Sequence, residues 1–213
     1  MTEHIGDFDE RRVVADETRR LLRAIRLTEV SEDDLAKASE LIAEATAILE
    51  REAPIKPLWL TGYTSIEQYR TSTDPNDIFP FSPATGPLNP VAPVTELTID
   101  DDGVLTGQVT FSEYHNGPPF DLGHGGAVAL VYDELLGVAA MANGGGYTAN
   151  LTVDYRVATP LLVPVQFRVW AGQVEGRKLW AQGEMRYEGQ VLTEAKGLFI
   201  TPRSETDPAP RLT

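Results

Sequence analysis

Apolar positions along the chain change period twice. Between Glu10 and Leu27 they recur at Val14, Leu21 and Ile25 among arginines and acids, and from Leu35 the set Leu35, Ala38, Ile42, Ala45 and Leu49 keeps helical spacing. Two amphipathic helices are expected, the second opened by Ser31 with Asp34 three residues on and ended by Pro54. Past Val91 the period shortens to that of strands. Val94 to Ile99 and Val104 to Phe111 flank the hairpin turn Asp100-Asp101-Asp102-Gly103, and four more strand-like runs cover Tyr147 to Val157, Val163 to Val174, Lys178 to Tyr187 and Val191 to Thr201. Between the second and third runs lies one long apolar helix, starting near His124 and ending around Asn143-Gly144-Gly145-Gly146. Two strands, a helix and four strands predict an α+β fold, an antiparallel sheet wrapped around a central helix, with an N-terminal helical extension.

The expected divisions are a helical hairpin over residues 1–53, a segment rich in proline and aromatics over 54–90, the sheet-and-helix domain over 91–203, and a tail over 204–213. Residues 54–93 hold eight of the fifteen prolines, interleaved with Trp59, Tyr63, Tyr69, Phe79 and Phe81. This composition resists long regular elements yet has aromatics to bury, so it reads as an ordered wrapping loop that covers a core or lines a pocket.

Composition narrows the chemistry. At 213 residues the chain has room for one ample domain plus an extension, or for two small domains. The absence of cysteine excludes disulfides and thiolate chemistry, and with histidine only at positions 4, 115 and 124 the one conceivable metal set is His115, His124 and Asp121, so no metal is expected. A net charge of -14 argues against a nucleic-acid partner. The charge is uneven: about -6 over residues 1–52, -9 over 53–146 and +2 over 147–203. A phosphate-bearing ligand would therefore be held by the last third, where Arg156, Arg168, Arg177, Lys178, Arg186, Lys196 and Arg203 lie. The sequence has no apolar run of transmembrane length, and its amino terminus is acidic where a secretory signal is basic and then apolar. No membrane insertion and a cytoplasmic location are expected.

The central helix carries the candidate chemistry. It opens His124-Gly125-Gly126, and the glycine N–H groups are first-turn donors at the positive end of the helix dipole, suited to an oxyanion or a polarised carbonyl. Asp133 stands two turns further on in an almost wholly apolar stretch, where a carboxylate is costly unless paired or used. Seven residues at 1.5 Å each place Gly126 and Asp133 roughly 10 Å apart along one axis, too far for one carbonyl to touch both. Two such helices packed antiparallel across a two-fold axis would bring Asp133 of one chain beside the glycines of the other, giving two shared sites.

The residues His124-Gly125-Gly126 with Asp133, Thr148-Ala149-Asn150-Leu151-Thr152-Val153-Asp154-Tyr155-Arg156, Val174-Glu175-Gly176-Arg177-Lys178 and Glu194-Ala195-Lys196-Gly197-Leu198-Phe199 resemble the hotdog-fold acyl-CoA thioesterases. Within that family they are similar to the phenylacetate-pathway type, which includes the mammalian thioesterase superfamily members with an N-terminal extension. The resemblance covers roughly residues 86–201. It implies hydrolysis of an acyl-CoA to free acid and CoA: the Gly126 N–H, assisted by Gly125, polarises the thioester carbonyl, Asp133 acts as general base or nucleophile, Thr148 holds the attacking water, and His124 orients the loop or contacts the thioester. It further implies Asn150, Arg156, Arg177, Lys178 and Lys196 as contacts for the CoA portion. The expected assembly is a homodimer or dimer of dimers, with no cofactor beyond the CoA of the substrate. Relatives carry one residue fewer than Phe120-Asp121-Leu122-Gly123 before the histidine.

Rival chemistries fit less well. The hydratase pattern of an acid followed five residues later by histidine fails at Val138; a serine hydrolase lacks its Gly-x-Ser-x-Gly elbow, and Gly144-Gly145-Gly146 lacks the lysine of a phosphate loop. The alternative from another class is an acyl-CoA binder or sensor that keeps the fold without turnover. Tyr132, Leu136 and Met141 are expected to set the depth of the acyl pocket.

Overall fold

The computed structural model describes residues 8–51, 79–118 and 121–201. Pro54, Trp59, Tyr63, Tyr69, Pro119, Phe120 and the tail over 204–213 lie outside them. The chain divides into two compact units, Met1–Gly62 and Tyr63–Thr213. In the first, α1 spans Phe8–Leu27 and α2 spans Glu32–Glu50. Asp9 and Glu10 at the start of α1 and Arg26 near its end complement the helix dipole. Ser31 caps α2 by accepting the Asp34 N–H at 3.2 Å, which satisfies one of the first-turn donors. No residue of α2 is buried, and Leu35, Ile42 and Leu49 stand exposed along it.

The second unit is one six-stranded antiparallel sheet with a helix across it. The strands are β1 (Val94–Ile99), β2 (Leu105–Thr110), β5 (Tyr147–Tyr155), β6 (Pro164–Glu175), β7 (Lys178–Tyr187) and β8 (Gln190–Ile200), in the spatial order β1-β2-β6-β7-β8-β5. A two-residue ladder, β3 (Asn116–Gly117) with β4 (Leu122–Gly123), precedes α3 (Gly125–Ala142). The β1–β2 turn closes as its sequence predicts. The Asp100 carboxylate accepts from the N–H groups of Asp102 and Val104, and Gly103 sits at φ 76°, where a side chain would be strained.

Alternation along the strands, interrupted by bulges, turns one face of the sheet toward α3. Leu105 and Val109 of β2, Val165 and Val169 of β6, Ala181 and Met185 of β7 and Phe199 of β8 enclose Val128, Val131, Tyr132, Leu135, Leu136 and Ala139 of the helix. This is the hotdog fold. By length and composition alone α3 would be long and apolar enough to cross a membrane, a correction to the reading of the sequence. Its apolar character is that of a core helix packed on four strands, β5 to β8. A second correction concerns the acyl pocket: Tyr132 and Leu136 are fully enclosed in this core, Tyr132 with its hydroxyl on the carbonyl and hydroxyl of Thr193 at 3.0 and 2.9 Å, so neither lines an open space.

Candidate active site at the start of α3

The backbone entering α3 is fixed from several directions. Ser112 N–H donates to His115 Nδ1 at 3.0 Å and His115 Nε2 lies 2.9 Å from the Val91 carbonyl, so hydrogen bonding assigns the proton to Nε2. Burial holds His115 below its ordinary pKa, in the neutral form. Both ring nitrogens are engaged by the protein, which leaves neither for a metal; among the described residues no three His, Cys, Asp or Glu side chains gather as a cation site. The His115 carbonyl accepts the His124 N–H at 2.8 Å, and Gly123 N–H reaches the Thr159 carbonyl at 2.7 Å. Gly117 lies directly against His124; a Cβ there would stand 3.0 Å from the histidine Cα.

His124 is the N-cap of α3. Its Nδ1 accepts the Gly126 N–H at 2.9 Å, and its carbonyl accepts from Ala127 and Val128. The donor expected to face a thioester carbonyl therefore already has an acceptor. Gly125 N–H has no hydrogen bond among the described residues, while the Gly125 carbonyl accepts the Tyr155 hydroxyl at 2.7 Å. Tyr155 is a site residue that the sequence reading passed over.

Gly126, Leu130, Asp133 and Gly137 follow at intervals of four, three and four residues, which places them within roughly 60° of one another around α3. They lie opposite the enclosed side, and Leu130 is 42% exposed. Asp133 is half-buried, with no hydrogen bond or ion pair to a described residue. Next to it Glu134 was also missed: burial pushes its carboxyl above the ordinary value, a hydrogen bond from Ser82 works against that, and the charge of Asp133 adds to it. Ser82 belongs to the turn-rich segment 79–93, where its hydroxyl also accepts from the N–H groups of Ala84 and Thr85. The signal for Glu134 was the one used for Asp133, an acid inside an apolar run.

Thr148 and Asn150 are separated by a bulge in the β5–β8 ladder. Thr148 pairs with Phe199 and Asn150 with Leu198, so Ala149 is the extra residue. Thr148 thus shares the α3 side of the sheet with Phe199, and Asn150 the opposite side. There Asn150, Thr152, Arg156, Trp180 and Lys196 line a groove of about 490 Å³. Arg156 is engaged by Glu194 at 3.1 Å and Asp154 at 3.6 Å. Arg177 and Lys178 are not with this group. Lys178 pairs with Ile200 whereas Lys196 pairs with Gln182, four residues along β7, about 13 Å away, and the Arg177 guanidinium donates to the Thr201 carbonyl.

No family model matches the chain. A crystal structure of a thioesterase superfamily protein superposes with a TM-score of 0.76 at 31% identity, covering 89% of this chain and 94% of that one. Acyl-coenzyme A thioesterase THEM4 of Mus musculus is 38% identical over 79 residues, 36% of this chain and 34% of its own length. The Xenopus laevis protein of the same name is 39% identical over 90 residues, 41% and 40% of the two chains. The matches to these curated relatives thus span between a third and two fifths of their length. The hotdog sheet and helix, with 31% identity to that structure over nearly the whole of both chains, define the class: the chain belongs to the thioesterase superfamily.

Proposed function

We propose that the protein hydrolyses an acyl-CoA thioester to the free acid and CoA. The observation that carries this is the placement of Gly126 and Asp133 together on the side of α3 that the described residues leave exposed or half-exposed. The names of the THEM4 relatives support it. The thioester carbonyl accepts from Gly126 N–H, assisted by Gly125, and Asp133 either takes a proton from water or attacks to form a short-lived anhydride. Thr148 aims the water and His124 orders the loop. Because Gly126 and Asp133 are roughly 10 Å apart on one helix, the site is shared within a homodimer. The end strand β5 offers the edge on which a second copy adds. Asn150, Arg156 and Lys196 contact the nucleotide portion from their groove, with Arg177 and Lys178 serving the other end of the sheet. One observation favours a binder without turnover: Gly126 N–H already has an acceptor in His124.

Thiol release from acetyl- to palmitoyl-CoA and phenylacetyl-CoA, by wild type and Asp133→Asn, separates the two readings. Turnover of one acyl class that falls at least about a hundredfold in the variant supports the hydrolase. Tight binding with no thiol released by either protein supports the binder.

A further inference from the structure

Tyr155 ends β5 on the side of the sheet that faces α3, in line with Leu151 and Val153, which pack against the core. Its hydroxyl lies 2.7 Å from the Gly125 carbonyl oxygen. That carbonyl and the Gly126 N–H are the two ends of a single planar peptide group. We infer that Tyr155 is a positioning residue for the Gly126 N–H: by holding the carbonyl end it fixes the tilt of the peptide plane, and by drawing electron density onto oxygen it makes the N–H a stronger donor. The inference rests on the thioesterase reading, in which that N–H meets the substrate carbonyl.

Three further features agree. Gly125 is what lets the ring lie so close, since a Cβ at that position would stand 3.3 Å from the ring Cε1 and Cζ and 3.4 Å from the hydroxyl oxygen. A phenol keeps its proton at neutral pH, and partial desolvation moves the Tyr155 hydroxyl further in that direction, so it is the donor toward the carbonyl. At the other end of the same peptide the N–H meets His124 Nδ1 at 2.9 Å, so a substrate carbonyl must displace or share that acceptor. Hydrogen bonds in series through one peptide group strengthen one another, and a polarised N–H is better able to make that exchange.

The test is Tyr155→Phe in the full chain. Tyr155 is 52% exposed, and phenylalanine keeps the ring. On the best substrate of the acyl-CoA panel, kcat is expected to fall about tenfold, the worth of one hydrogen bond, with KM within about twofold. The Gly126 amide proton, read by NMR without substrate, is expected to move upfield as its peptide loses polarisation. An unchanged kcat, or a lowered kcat with an unmoved Gly126 amide, overturns the inference. If the wild type hydrolyses none of the panel, the thioesterase reading fails separately, and the amide still decides: a shift upholds the coupling of Tyr155 to Gly126, and no shift overturns it.

Discussion

On the sheet side of α3, Val131, Tyr132, Leu135 and Leu136 have no exposed surface, whereas on the opposite side Gly126, Leu130, Asp133 and Gly137 are left half open. The same eighteen residues thus serve two ends. The enclosed side removes apolar surface from water and holds the fold. The open side is poorly justified by the described residues: among them Gly137 has only Phe199 within reach of a Cβ, at 3.8 Å, although glycine inside a helix costs about 1 kcal/mol relative to alanine. Stability and chemistry are divided around one helix axis, and substitutions on the two sides should move different observables.

The largest expected effect is on the enclosed side. Leu135→Ala should lower unfolding free energy by about 3 kcal/mol, measured by denaturant unfolding, while Leu130→Ala should cost under about 0.5 kcal/mol; equal losses would erase the distinction. Next is Gly126→Ala, whose Cβ would stand 3.0 Å from His124 Nδ1 and press the imidazole away. Thiol release should fall about a hundredfold with the melting temperature nearly unchanged, and a variant that loses its fold together with its activity would place Gly126 with the structural residues. His124→Ala removes the N-cap acceptor and should cost about 1 kcal/mol, with His124→Asn recovering much of it; an alanine variant as stable as wild type would mean that the cap adds nothing to the fold.

The smallest effect is a pH dependence at the border between the two sides. Burial lifts the Glu134 carboxyl above its ordinary 4.5, so the native state binds that proton more tightly than the unfolded chain does. The resulting stability is fully present below pH 4.5 and is lost as pH rises through the elevated value. Glu134→Gln stays neutral throughout. Its melting temperature should therefore gain on the wild type as pH climbs past 4.5, and a difference flat in pH would show that Glu134 is not held protonated in this way.

Periodicity made α3 and the six strands legible, because a helix buried along one side and strands buried on one face leave spacings that local sequence cannot hide. Asp133 was visible as a candidate for a related reason, as an acid among apolar neighbours. The contacts around it were not. Glu134 answers to Ser82 in a segment far upstream, and Tyr155 answers to the Gly125 carbonyl across 30 residues; neither partner shares a local pattern with the residue it holds. The bulge at Ala149 was equally hidden, since Thr148-Ala149-Asn150 contains no glycine or proline to mark it. In a regular register Ala149, rather than Thr148, would stand opposite Phe199, and the hydroxyl would point away from α3. Both of those long-range ties, and the bulge, come from how the sheet meets the helix, which is settled only when the chain is folded.

Among the described residues, strand β5 ends the sheet, with a neighbour on one side only. On the proposed assembly this makes the protein a reactant in building its own catalyst. At concentrations well below the dissociation constant of the pair, turnover per chain would fall in proportion to how much of the protein is present, so that expression level would govern the rate per molecule as well as the number of molecules.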